Sequence, residues 1–189
     1  MLGELLQGSG LVIDGVEPTL EWAELAKPFY RNFFSTTVEG ANLPDGSYDA
    51  IVCADVLEHL PDPHAVLKQL VKAATPDATF LISVPNIAHF SVRLMLLAGR
   101  FPKFERGILD RTHLQFFTRD TAEQMLKSAG LKIEKVTATG VPLEHLWAGG
   151  EGRALFKLIR GCQNIAVDIV PRFAGYQWVF QARPRSAGK

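Results

Sequence analysis

The sequence has 189 residues, 47% apolar and 21% charged, enough to bury one sizeable core and short for two. This excludes a disordered or fibrous chain and predicts a single domain over residues 1–184 with a loose tail at 185–189. Twenty Lys and Arg balance twenty Asp and Glu, so no global field draws the chain to nucleic acid or to an anionic membrane.

The first seven residues read as the end of a helix and "GSG" at 8–10 as a helix-to-strand turn. "LVIDGVE" (11–17) is a strand candidate, "LEWAELAKPF" (20–29) a helix stopped by Pro28, and "FFSTTV" (33–38) a weaker strand. "YDAIVCAD" (48–55) is a near-continuous apolar run, as expected of a strand buried on both faces. Residues 62–74 place Val66, Leu67, Leu70 and Val71 on one helical face, and "TFLISVP" (79–85) is another buried strand. Strand and helix alternation of this kind predicts βαβ units and a parallel sheet, hence an α/β fold.

The second half changes character. "LMLLAG" (94–99) belongs to a helix, since no stretch approaches the ~20 apolar residues of a membrane span. An irregular basic segment (100–113) precedes a helix capped by Thr118 and stopped by Gly130, then "LKIEKVTATG" (131–140), a helical stretch near 153–170 and "GYQWVFQARP" (175–184). That last run alternates, which suits an antiparallel edge strand. Cys53 and Cys162 lie far apart, without the Cys/His spacing of a zinc site, and the N-terminus lacks the layout of a signal peptide. The expected setting is therefore the reducing cytoplasm.

Several residues carry chemistry. Glu17, just past a strand end, can accept both hydroxyls of a ribose; a solvated loop acid is the alternative. Asp55, Glu58 and His59 are spaced i, i+3 and i+4, one face of a helix. His59 and His113 are near-neutral imidazoles able to take a proton, or else structural histidines bonded to backbone. Arg93, Arg100, Lys103, Arg106 and Arg111 outnumber Glu105 and Asp110 between residues 85 and 113, which suits an anionic acceptor or simply a solvated face.

The ordered series "LPDGSYDAIVCADVLEHLPDP" (43–63), "ISVPN" (82–86), "HLQFFT" (113–118), "SAGLKIEKV" (128–136) and "GYQWVFQARP" resembles class I S-adenosylmethionine-dependent methyltransferases. The branch it resembles includes ubiquinone-type O-methyltransferases and methyltransferases of bacterial glycan pathways. The resemblance implies a Rossmann-like, mostly parallel sheet whose last two strands form an antiparallel edge pair. It implies S-adenosylmethionine as cofactor, with Glu17 at the ribose, Val38 or Glu39 facing the adenine, and Cys53, Ala54 and Asp55 at the methionine part, all around one nucleoside cleft. It also implies in-line methyl transfer to an oxygen or nitrogen of a small-molecule or glycan-related acceptor, with His59 or His113 as base. Ubiquinone-type members use an acidic and histidine cluster for a divalent cation. Asp55 stands where they tend to carry Glu, and no metal is assigned. Trp147 and the helix near 153–170 are expected to complete a lid.

The family's central first strand and its Gly-x-Gly-x-Gly loop have no counterpart here, because "GSG" comes too late. The expectation is that the sequence begins inside a longer natural chain; the alternative is that neighbouring strands close up and damage the pocket. Two other readings stay open. One is a silent methyltransferase-like binding module, and the other is a nicotinamide-dependent oxidoreductase, which Glu17 would also suit.

Overall fold

The computed structural model describes residues 2–143 and 154–185; Trp147 and residues 186–189 of the tail lie outside the described residues. Two compact units divide the chain, residues 1–45 and 46–189. Among the described residues no helix is long and apolar enough to cross a membrane.

The first unit holds α1 (Leu2–Leu5), β1 (Asp14–Val16), α2 (Leu20–Ala26), a single 3-10 turn (Lys27–Phe29) and β2 (Asn32–Phe34). β1 and β2 pair in parallel, with Asp14 opposite Asn32 and Val16 opposite Phe34. Both strands are shorter than their apolar runs suggest. A strand is defined by its partner, and here only three residues pair, leaving Leu11 and Val12 exposed. The expected helix end at Pro28 is a change of pitch instead: α2 stops at Ala26 and proline opens the 3-10 turn, where its missing N–H costs nothing. Asp14 is fixed by Arg31, which donates from two nitrogens at 3.0 and 2.8 Å, and by Asn32. A Cβ on Gly15 would meet the Phe33 ring at 2.8 Å, so that ring would have to shift to admit a side chain.

The second unit is a four-stranded sheet in the order β3-β4-β6-β5, where β3 is Tyr48–Ala54, β4 Ala74–Pro85, β5 Leu131–Thr139 and β6 Gln177–Pro184. β3 and β4 are parallel, and β6 runs antiparallel to both of its neighbours. The sheet is therefore mixed, as expected, with one correction: β6 lies inside it and β5 forms the edge. Its alternation reflects two unlike faces rather than an edge position, since Trp178, Phe180 and Ala182 are buried while Gln177, Val179 and Gln181 are only partly so.

Helices α3 (Pro63–Ala73) and α5 (Arg119–Ser128) pack together against the sheet, burying Val66, Leu67 and Leu126. The expectation that β3 is buried on both faces is corrected: Ile51 and Cys53 are buried, but Val52 is 45% exposed and Ala50 and Ala54 are exposed too. Among the described residues β3 pairs with β4 alone, and the residues of its second face are exposed.

Helix starts follow local chemistry. Asp62 accepts the Ala65 N–H at 3.0 Å ahead of α3. Thr118 and Thr121 cap α5 reciprocally, each hydroxyl accepting the other's backbone N–H, at 3.2 and 2.9 Å. Gly130, at φ 95°, ends that helix in a conformation that disfavours any side chain. Thr118→Ala is expected to cost about 1 kcal/mol; urea denaturation of variant and parent measures it, and an unchanged midpoint refutes the cap. The remaining helices are α4 (Phe90–Leu97), α6 (Ala154–Ile169) and α7 (Pro171–Ala174).

Candidate functional site

A cleft of about 420 Å³ opens where β3, β4 and β5 end and β6 begins, the carboxyl edge at which α/β sheets take ligands. Asp55, Glu58, Pro85, Gly107, His113, Thr139, Gly140, Pro142, Tyr176 and Gln177 line it. Asp55 and His113 thus share one cleft, while His59 stands outside its lining.

Asp55 directly follows β3. It holds φ 54°, the single positive value among described non-glycine residues, a left-handed position uncommon for side-chain-bearing residues and one that aspartate tolerates better than most. Two partners fix it there: Ser83 of β4 donates its hydroxyl at 3.2 Å, and Gln177 of β6 donates its amide in a close contact. The Asp55 backbone N–H is held in turn by Ser83.

A short 3-10 turn, Leu57–His59, follows β3 and buries Glu58 almost completely. The Glu58 carbonyl accepts the N–H groups of Leu114 and Gln115, which pins the loop carrying His113 to this turn. Among the described residues neither Glu58 carboxylate oxygen has a hydrogen-bond partner. Burial, helped by the charge of Asp55, pushes its carboxyl up from an ordinary 4.5 to about 8.

His113 is buried, and its Nδ1 lies 3.0 Å from the Ile108 carbonyl. Only a protonated Nδ1 can bond a carbonyl, so Nε2 keeps the lone pair. Burial lowers the pKa of this imidazole below the usual histidine range, which keeps it neutral near pH 7. His59 is exposed, with Nδ1 near the Thr112 carbonyl at 3.3 Å, and its ring meets that of His113 edge-on at 4.8 Å. Glu58, His59 and His113 each offer a ligand atom, all within 4.8 Å of one another, a set able to hold a divalent cation. In that set His113 takes the place that the sequence suggested for Asp55.

Cys53 is buried, and burial pushes its thiol up to about 12; the side chain is an inert core group, leaving only backbone to offer a ligand. Three of the five cations between residues 85 and 113 are engaged internally. Arg93 donates to the Ala88 carbonyl and lies over Phe173, Lys103 reaches the His113 carbonyl and the Phe116 ring, and Arg111 pairs with Glu105 at 2.8 Å.

In the first unit Glu17 lines a separate pocket of about 230 Å³ with Gly15, Trp22, Tyr30 and Phe33 among its neighbours. Its carboxylate accepts the Thr19 N–H at 2.9 Å. Val38 and Glu39 sit in the turn after β2, where Ala41 donates to the Val38 carbonyl.

Sequence reasoning missed Tyr176, Gln177 and Thr139, which reach the cleft through the antiparallel pairing of β5 with β6. The two consecutive polar residues "YQ" directly ahead of the apolar "WVF" were the available signal. It also missed Asn86, wholly buried, whose amide donates to the Gly175 carbonyl at 2.7 Å and ties the end of β4 to the chain entering β6.

A family model described as a methyltransferase domain matches residues 2–136. The chain is 25% identical over 112 residues to a ubiquinone biosynthesis O-methyltransferase of Haemophilus ducreyi, covering 53% of this chain and 48% of that protein. It is 24% identical over 146 residues to the enzyme of the same name from Thiobacillus denitrificans, covering 72% and 62%. The chain thus spans about half to three fifths of the length of these curated relatives.

Two solved structures share the fold. One is a SAM-dependent methyltransferase from Archaeoglobus fulgidus, with TM-score 0.64 and 17% identity, covering 95% of this chain and 79% of that one. The other is the 1,6-didemethyltoxoflavin-N1-methyltransferase of Burkholderia thailandensis, solved with 1,6-didemethyltoxoflavin and S-adenosylhomocysteine. It has TM-score 0.59 and 14% identity, covering 97% and 65%.

Proposed function

The chain belongs to the methyltransferase-domain family, and from that premise we propose that it transfers a methyl group from S-adenosylmethionine to an oxygen or nitrogen of a small-molecule acceptor. The observation that carries this reading is His113, a buried, neutral imidazole with Nδ1 committed to Ile108, lining a cleft at the carboxyl edge of the sheet beside Asp55. When bound, the cofactor supplies an electrophilic methyl group on a positive sulfur.

The chain's own residues supply the rest. Within the first unit Glu17 is the group for ribose hydroxyls and Val38 and Glu39 those for the base; within the second unit the backbone at Cys53, Ala54 and Asp55 is the part that would receive the methionine portion. His113 takes the proton from an acceptor hydroxyl as the new bond forms. His59, edge-on to His113 and outside the cleft lining, orients that ring rather than touching the acceptor. The apolar and backbone walls exclude water and align the reactants, the main means by which a direct displacement is accelerated.

The residues fit the cofactor in chemical kind: an acid at a strand end beside aromatic side chains, and a cleft large enough for an amino-acid moiety and a small acceptor. A divalent cation held by Glu58, His59 and His113 would neutralise the buried carboxylate, but it would occupy the Nε2 lone pair of His113, so it is an alternative to the base role and not a companion of it. An anionic or glycan-related acceptor is the finer reading; it is supported by Arg100 and Arg106, in the segment that carries His113, once the internally paired cations are set aside. Cytoplasmic location accords with the free thiols of Cys53 and Cys162.

Calorimetry with S-adenosylhomocysteine tests the assignment. The parent chain is expected to bind, and Glu17→Ala to lose about 1 to 3 kcal/mol as a buried sugar hydroxyl loses a charged partner. Undiminished affinity in the variant removes the ribose role, and absence of binding by the parent removes the methyl-donor reading for these 189 residues.

A further inference from the structure

Tyr176 leads into β6 and takes no part in the chemistry above, yet it lines the cleft together with His113 and Gly107. Its backbone is held on both sides, the N–H donating to the Thr139 carbonyl at 2.8 Å and the carbonyl accepting the Asn86 N–H at 2.9 Å. Its ring packs against Val92, Ile108 and Leu109 and meets the His89 ring edge-on at 5.7 Å. A phenol fixed in this way presents its hydroxyl at one place. That place is the strip Gly107–Ile108: a Cβ on Gly107 would come within 2.8 Å of the Tyr176 oxygen, and the φ of 94° there also suits glycine.

Ile108 serves both side chains. Its carbonyl accepts the Nδ1 proton of His113 at 3.0 Å. Its backbone also hydrogen-bonds the Tyr176 hydroxyl in the sense that favours an ionised oxygen, so there it is the N–H that donates. With its oxygen engaged, the phenol still has its proton to give, and burial raises its pKa above the ordinary value, so it stays a donor at neutral pH. The cleft therefore offers a hydrogen-bond acceptor, His113 Nε2, and a donor, the Tyr176 hydroxyl, from side chains anchored on one residue. Resting on the methyl-transfer reading, we propose that Tyr176 determines acceptor specificity: its O–H hydrogen-bonds the oxygen whose proton His113 takes, so the site selects a hydroxyl over an amine.

Lone pairs decide the choice. A hydroxyl oxygen has two, one to accept from Tyr176 and one to attack. As it attacks, the O–H proton passes to Nε2, the O–C bond forms, and the C–S pair stays on sulfur to leave S-adenosylhomocysteine as a neutral thioether. The phenol keeps its proton throughout. A neutral amine nitrogen has a single pair, and a hydrogen bond from Tyr176 would occupy the pair that must attack. Giving up that bond leaves the phenol donor unmatched, a cost that a hydroxyl acceptor avoids.

Binding of 2-naphthol and 2-naphthylamine, followed by their fluorescence with S-adenosylhomocysteine and a chelator present, tests the role. The two probes match in size and are uncharged at neutral pH. The naphthol oxygen keeps an in-plane pair that can accept a hydrogen bond, whereas the amine's pair is drawn into the ring. The parent is expected to bind 2-naphthol about tenfold more tightly than the amine. Tyr176→Phe keeps the ring and loses only the hydroxyl. It should bind 2-naphthol about tenfold more weakly than the parent does and 2-naphthylamine within about twofold, with an unchanged circular dichroism spectrum. A tyrosine that served packing alone would shift both probes alike. Equal losses for the two probes overturn the proposal, as does a preference that survives in Tyr176→Phe. A parent that binds S-adenosylhomocysteine but neither probe, or both equally, overturns it and leaves the methyl-transfer reading standing. A parent that prefers 2-naphthol through Tyr176 yet does not bind S-adenosylhomocysteine supports hydroxyl recognition and removes the methyl donor instead.

Discussion

Replacing His113 by glutamine is expected to lower turnover about 10²- to 10⁴-fold, the usual contribution of a positioned general base, while affinity for S-adenosylhomocysteine stays within about twofold. Glutamine keeps a polar group of similar reach in the buried site but cannot accept a proton. The parent's Nδ1 is held by the Ile108 carbonyl at 3.0 Å, so all proton transfer falls to Nε2. Because burial lowers the pKa of His113, the parent's rate should fall only on the acid side of the ordinary histidine range, and the variant should lack that limb. Measured with a chelator present, kcat against pH separates the base role from cation binding by the same imidazole. Equal losses in turnover and cofactor affinity, or an acid limb that survives in the variant, would sink the assignment.

The second large effect concerns Glu58. Its folded carboxyl titrates near 8 against an ordinary 4.5, so the folded state holds the proton more tightly than the unfolded chain does. Stability from this group is fully present below the unfolded value, near pH 4.5, and is lost as pH rises toward 8. The gap corresponds to a loss on the order of 4 kcal/mol. Glu58→Gln stays neutral throughout, so with chelator present its stability should change less between pH 5 and pH 8 than the parent's. Chemical denaturation at the two pH values measures the difference, and parallel profiles would show that Glu58 is solvated or paired in solution. Saturating Mg or Zn should reverse the parent's loss if Glu58, His59 and His113 close on a cation.

Much of this was legible in the linear sequence, for local reasons. The run 48–55, the face Val66, Leu67, Leu70 and Val71, the cap at Thr118 and the stop at Gly130 depend on nearest neighbours and on periods of two or 3.6. The meeting of Asp55 with His113 was implied by family resemblance, not by spacing. Burial was illegible where it depends on distant segments. Nothing in "VLEHL" shows that Glu58 will be enclosed with both oxygens unpartnered, because the loop at 112–115 that covers it is more than fifty residues away. Nor does "YDAIVCAD" reveal that one of its faces stays open, since that is decided by which helices cover it. The interior position of β6 was hidden for the same reason: alternation reports unlike faces, not neighbours.

Asp55 joins strands that do not touch. Among the described residues β3 hydrogen-bonds to β4 alone, yet the Asp55 side chain spans β4 to reach Gln177 at the start of β6. One carboxylate therefore registers the parallel half of the sheet against the antiparallel half at the cleft floor. Slackening at the N-terminal end of β6 should travel to the tip of β3, and amide exchange at Asp55 would serve as its strain gauge.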